Sequence, residues 1–290
     1  MRIRHIWLLL VAALVLGAGP QVQAALQIEI TGGINSGYQV AVIPFTQDTG
    51  TSVDVAAVIT EDLRRSGKFS PLPMTALPRG SVKNGEVVVD VAQGSGAEAV
   101  ITGKVYREGG SFQVEYKVTG LQGQNRGKVL AHARRQSSAA QMRQAAHLVS
   151  DRVYELFTKS KGAFRTRIAY VVYRPGADHP YQLMTADYDC QNEVPILKST
   201  QPIMTPSWSP DGQSLAYVSF ERRTPCIYLQ NIVTRKRELL AAYPGLNSSP
   251  AWSPDGTRIA MTLSNVGKGG MGGTPNIYYF DLRTRQLHQV

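Results

Sequence analysis

Two cysteines, five histidines and three tryptophans in 290 residues leave little material for a metal centre or a disulfide scaffold. Beyond residue 24 the histidines are His132, His147, His179 and His288, scattered at no ligand-like interval. No Gly-x-Ser-x-Gly elbow, His-Glu-x-x-His helix or Walker loop is present, so the nucleophile, zinc and phosphate chemistries those motifs support have no carrier. A literal Gly-x-Gly-x-x-Gly occurs at Gly267, Gly269 and Gly272. It lies between two predicted strands and cannot aim a helix N-terminus at a phosphate, so it reads as an inserted loop. No cofactor or metal is expected. Apolar runs are short too: beyond residue 24 none is long enough to span a bilayer.

What is there begins with a targeting segment. Arg2, Arg4 and His5 precede an apolar run over 6–16, and Val22-Gln23-Ala24 follows the helix-breaking Gly17 to Pro20. This is the pattern of a secretory signal, 1–24, cut after Ala24, which places the mature protein in the periplasm or outside the cell. The net charge is +10, but the basic residues come in dispersed pairs and triplets without interleaved aromatics. A solvated basic surface is favoured over a nucleic-acid face.

The next stretch, 25–162, reads as an α/β domain: a mixed sheet with two helices. Leu26-Gln27-Ile28-Glu29-Ile30 alternates apolar and polar, and Thr31-Gly32-Gly33 turns the chain. A second strand is expected over 39–45. Thr51 or Ser52 can cap a helix with Val53, Ala56, Ile59 and Leu63 along one face, closed by Arg64, Arg65 and Gly67. Strands follow over 68–72, 98–106, 112–118 and 128–134. A long helix over 138–158 carries Met142, Ala145, Val149, Val153 and Leu156 as its stripe.

From Phe164 on, helix signals cease. Trp208-Ser209-Pro210-Asp211-Gly212 recurs as Trp252-Ser253-Pro254-Asp255-Gly256, a period of 44 residues (208 to 252). In each copy Pro presets φ and Gly takes the positive φ that closes a tight turn. Each Asp stands alone and serves the turn rather than calcium. Apolar strands follow both copies, Leu215-Ala216-Tyr217-Val218 and Ile259-Ala260-Met261-Thr262. That period with several short strands per unit marks a β-propeller. Blade strands are expected at 203–208, 214–220, 226–232 and 237–241, then at 247–252, 258–264, 276–281 and 286–290. A first blade lacks its inner strand and begins with Ile168-Ala169-Tyr170-Val171. The stretch 163–290 is therefore about half a ring, whose closing strand would come from beyond Val290. Cys190 and Cys226 fall at opposite ends of neighbouring blades, about 15 Å apart for a five-residue strand. A disulfide needs Cα atoms within about 7 Å, so both thiols should be free.

Without catalytic groups, a propeller acts through its rims. The lead-ins Met204-Thr205-Pro206 and Leu246-Asn247-Ser248-Ser249-Pro250 are the rim candidates, and Leu26 to Gly33 is a candidate for strand addition to a partner. Two rivals stand beside a protein-binding module. One is the propeller of an exported hydrolase or peptidase, which needs a catalytic domain beyond Val290. The other is a glycan-binding propeller, which needs aromatic platforms on loops, whereas the aromatics here fall mostly in strands.

Asp62-Leu63-Arg64-Arg65-Ser66-Gly67-Lys68-Phe69, the junction Gly162-Ala163-Phe164-Arg165-Thr166-Arg167-Ile168-Ala169-Tyr170-Val171 and the two repeats together resemble the TolB family of the bacterial Tol–Pal envelope system. The resemblance implies an α/β domain joined to a six-bladed propeller, of which about three blades fall within this chain. It implies no enzymatic activity. Its partners would be the peptidoglycan-associated lipoprotein Pal at the propeller (Met204, Thr205, Pro206, Leu246, Asn247, Ser248, Ser249, Pro250) and TolA at the mature N-terminus (Leu26, Gln27, Ile28, Glu29, Ile30, Thr31, Gly32, Gly33). The role implied is outer-membrane integrity and invagination at division. Cys190 stands where the family has Gly in a hairpin turn.

Overall fold

Five principal strands build the first half of the molecule into one mixed sheet. The computed structural model describes residues 37–48, 50–264, 266 and 273–290. The expected signal peptide, the strand at Leu26 to Ile30 with its Gly32-Gly33 turn, and Gly267, Gly269 and Gly272 lie outside these residues. Strand β1 (Tyr38–Val42) sits between β3 (Phe69–Leu72) and β6 (Ala99–Glu108), parallel to both. Strands β7 (Ser111–Gly120) and β8 (Val129–Ser137) continue the sheet antiparallel, and the two-residue β2 (Thr46–Gln47) pairs with β6. Val40 and Val42 pack into the core on one face while Ala41 packs on the other, so β1 is covered on both sides.

Helices α1 (Val55–Arg65) and α3 (Met142–Thr158) cover the first face with Ile59, Leu63, Met142, Val149 and Val153. The short helix α2 (Val89–Ala92) and Leu121 cover the second. This small helix and the hairpin of β4 (Val82–Lys83) with β5 (Glu86–Val87) carry no periodic signal in the sequence.

The ends of the elements shift for local reasons. Asp54, not Thr51 or Ser52, caps α1: its backbone is extended and its carboxylate accepts the Ala57 N–H at 3.0 Å. A 3₁₀ turn, Ala139–Gln141, takes up the chain after Ser138, so α3 starts at Met142. β1 stops at Val42 ahead of Pro44, which has no N–H for the ladder.

Beyond α3 come three antiparallel sheets. The first holds β9 (Arg167–Tyr173), β10 (Tyr181–Asp187) and β11 (Val194–Ser199); among the described residues it has no fourth strand. The second runs β12 (Ile203–Trp208), β13 (Ser214–Ser219), β14 (Cys226–Asn231) and β15 (Arg237–Ala241). The third runs β16 (Asn247–Trp252), β17 (Arg258–Leu263), β18 (Asn276–Asp281) and β19 (Gln286–Gln289). These are the expected blade strands to within two residues, in radial order.

Face-to-face packing explains why the repeat strands read as unbroken apolar runs. Leu215 and Tyr217 of β13 pack with Leu183 and Ile196 of the first sheet, while Ala216 and Val218 pack with Ile259 and Met261 of the third. A strand held between two blades buries both its faces. Tyr217 is fully buried, and its hydroxyl donates to Gln230 Oε1 at 2.8 Å, so the one polar atom there is satisfied.

Candidate functional site

The inner strands of the two complete blades carry the same irregularity at the same repeat position. Pairing of β12 with β13 slips between Met204 and Ser207, and pairing of β16 with β17 slips between Ser248 and Ala251. At the centre of each slip a non-glycine residue has positive φ, Thr205 at 47° and Ser249 at 53°. These positions are one repeat apart. A bulge leaves backbone groups off the ladder and re-aims side chains, which places Met204, Thr205 and Ser249 in solvent along inner edge strands. Met204 is 50% exposed and Leu246 is 38% exposed.

The eight rim candidates thus divide. Met204, Thr205, Leu246 and Ser249 are exposed, and Pro206 and Ser248 are half-buried. Asn247 and Pro250 are buried. Asn247 accepts the Tyr243 N–H at 3.0 Å and donates to Tyr243 O at 2.6 Å, which makes it the buckle of the loop rather than part of its surface. The other candidate, Leu26 to Gly33, lies outside the described residues.

The repeated turns are satisfied internally. Gly212 and Gly256 have φ of 66° and 72°. Asp255 Oδ1 accepts the hydroxyl of Ser253 and the N–H of Thr257, which hold its carboxyl down to about 2. Asp211 is lowered in the same way by Ser209 and Gln213. These carboxylates are spent on the turns and have no ring of oxygens for calcium. Each indole anchors its blade differently. Trp252 Nε1 donates to Ser207 O of the preceding blade at 3.2 Å. Trp208 Nε1 is buried with no partner among the described residues, because the first sheet offers no inner strand equivalent to β12; the Arg167 guanidinium lies over its ring at 4.8 Å.

A second constellation lies where α1 and α3 meet the corner after β10. Arg143, His147 and Asp151 recur every fourth residue along one face of α3. His147 Nδ1 is 2.8 Å from Asp62 Oδ2 of α1, and Tyr188 donates its hydroxyl to Asp62 Oδ1 at 2.5 Å. Arg143 Nε donates to Asp189 Oδ2 at 2.8 Å. Asp151 accepts the Phe164 N–H and the Arg165 Nε–H, both at 2.9 Å, and so ties the linker to the helix. Burial pushes the Tyr188 hydroxyl up, with Asp62 adding to it. Burial alone would raise Asp189, but Arg143, the Gln191 N–H and the His147 ring hold it below the usual carboxylate range. Spacing among the histidines does not single out His147. The signal that would have found His147 is the polar series Arg143-x-x-x-His147-x-x-x-Asp151 beside an apolar stripe.

Cys190 and Cys226 are both free; Cys190 is exposed with φ of 64°, and Cys226 is buried. Among the described residues no helix is long and apolar enough to cross a membrane.

The TolB amino-terminal domain model matches residues 26–126, and the TolB beta propeller domain model matches 154–290. The chain belongs to the TolB family. The Tol-Pal system protein TolB of Alcanivorax borkumensis is 40% identical over 270 residues, covering 91% of this chain and 61% of that protein. The Tol-Pal system protein TolB of Mannheimia succiniciproducens is 39% identical over 231 residues, covering 79% of this chain and 54% of that protein. The crystal structure of TolB from Acinetobacter baumannii superposes with a TM-score of 0.77 at 34% identity, over 88% of this chain and 60% of that one. This TolB-family chain therefore spans a little over half the length of the relatives it matches.

Proposed function

We propose that this chain is a non-enzymatic periplasmic adaptor of the Tol–Pal system, gripping the outer-membrane lipoprotein Pal with its propeller rim and inner-membrane TolA with residues 26–33. In this reading it supports outer-membrane integrity and invagination at division. The observation that carries the reading is the repeated bulge on β12 and β16. It holds Thr205 and Ser249 outward at equivalent positions of two blades, beside the exposed Met204 and Leu246, on strands whose inner edges have no partner strand among the described residues. A repeated exposed hydroxyl with apolar side chains beside it suits a protein surface better than a small substrate.

Partner exchange follows if occupancy of the propeller alters how readily 26–33 is presented, so that one partner is favoured at a time. The test is titration of the chain with purified Pal and with the periplasmic end of TolA by isothermal calorimetry. Met204→Asp with Leu246→Asp should weaken Pal binding at least ~10-fold, the effect of about 1.4 kcal/mol lost at the rim, and leave TolA unaffected. Deleting residues 26–33 should abolish TolA binding and spare Pal. Loss of both partners from either variant would refute the division of labour.

A further inference from the structure

The junction of α1, α3 and the β10 corner holds more buried charge than packing needs. The side chains of Asp62 and Asp189 are each 1% exposed, and that of His147 is fully buried. Arg143 is the cation on Asp189. With the Tyr188 hydroxyl neutral and a neutral imidazole, the cluster would hold two carboxylates against one guanidinium, leaving one buried charge unbalanced.

Geometry narrows the protonation of the ring. A proton on Nδ1 alone serves Asp62 and leaves the Nε2 lone pair facing Asp189 Oδ2 at 3.6 Å. A proton on Nε2 alone leaves the Nδ1 lone pair against Asp62 Oδ2 at 2.8 Å. Asp62 already accepts from Tyr188 and Asp189 from Arg143, so what the doubly protonated ring adds is the positive charge that brings the cluster to neutrality. His147 Nε2 has no other partner among the described residues. Arg65 on α1 acts on the Tyr188 hydroxyl, Asp151 one turn along α3 is paired with Arg165, and Arg143 is the guanidinium paired with Asp189.

We infer that His147 is an imidazolium strut that latches the propeller corner Tyr188–Asp189 onto the α1–α3 helix pair, and that losing its charge releases this junction locally without unfolding either core. The three groups could also be read as a metal site, since single ligand atoms from Asp62, His147 and Asp189 lie within 4.8 Å of one another. The arrangement argues against that reading: the carboxylates flank opposite ring nitrogens, and Arg143 already occupies Asp189.

The Tyr188 N–H donates to Thr166 O at 3.1 Å and, with the Phe164 N–H on Asp151, gives direct amide probes of the junction. Long-range nitrogen NMR of the chain at neutral pH should show both His147 ring nitrogens protonated; a single-tautomer neutral pattern overturns the proposal. In His147→Gln, which keeps one amide donor, exchange of the Phe164 and Tyr188 amides should quicken at least ~10-fold while the amides of β6 and β7 hold. Uniform acceleration across the chain would mean an ordinary core residue and no latch. Zinc added to the unmodified chain should leave its melting temperature unchanged; a stoichiometric rise with loss of a ring proton would make this a metal site instead.

Discussion

Replacing Gly162 with alanine tests whether the linker is clamped to α3. A methyl there would sit 2.4 Å from Asp151 Oδ1 and 2.8 Å from Asp151 Cα. The second contact is helix backbone, which cannot swing aside, so the linker must move away. Moving it breaks the Phe164 N–H bond to the Asp151 carboxylate and pulls Phe164 from its edge contacts with Tyr154 and Tyr188 at 5.7 and 5.6 Å. A hydrogen bond to a charged group is worth about 1.5–3 kcal/mol, and overpacking a tight site costs about 1–3 kcal/mol. Against this, Gly→Ala restricts the unfolded chain and returns about 0.4–1 kcal/mol. The net expectation is a loss of about 2–5 kcal/mol. The assay is urea unfolding of the whole chain, read as a lower midpoint at unchanged slope. A Gly162→Ala variant within ~0.5 kcal/mol of the parent, or more stable than it, would show that the linker is not clamped.

Cys190 holds a positive φ that costs an L-residue about 1–2 kcal/mol, so Cys190→Gly should stabilise by about 0.5 kcal/mol after glycine's own entropy is counted; a lower urea midpoint would contradict this. Thr205→Gly and Ser249→Gly should raise the midpoint by similar increments, with the β-branched Thr205 gaining more, and equal or reversed gains would refute the strain reading. Asp189 sits below its ordinary value when folded, so its contribution is complete above the unfolded carboxylate value near ~4 and fades as pH falls through the folded value. Asp189→Asn should cost about 3 kcal/mol at pH 7 by stranding Arg143, and should flatten the midpoint change between pH 5 and pH 2; an unchanged acid profile would remove Asp189 from the account.

The sequence alone determined the elements whose cause is local. The blade strands followed from a 44-residue period, because Pro and Gly fix the turn dihedrals wherever the pentapeptide occurs and the runs between turns can bury only as strands. The stripe of α3 followed from its spacing, since Met142, Val149 and Val153 can share one face only in a helix. Choices between near-equivalent local options were settled by geometry: Asp54 rather than Thr51 or Ser52 became the cap because the chain turns there. Tertiary structure alone decided which rim residues reach solvent. Asn247 and Ser249 are neighbours of similar polarity, and the bulge turns one inward as a buckle and the other outward. It alone brought Asp62, His147 and Asp189 together from positions far apart in the chain, because contact between an α/β domain and a propeller corner depends on how the finished domains pack, which no local period encodes.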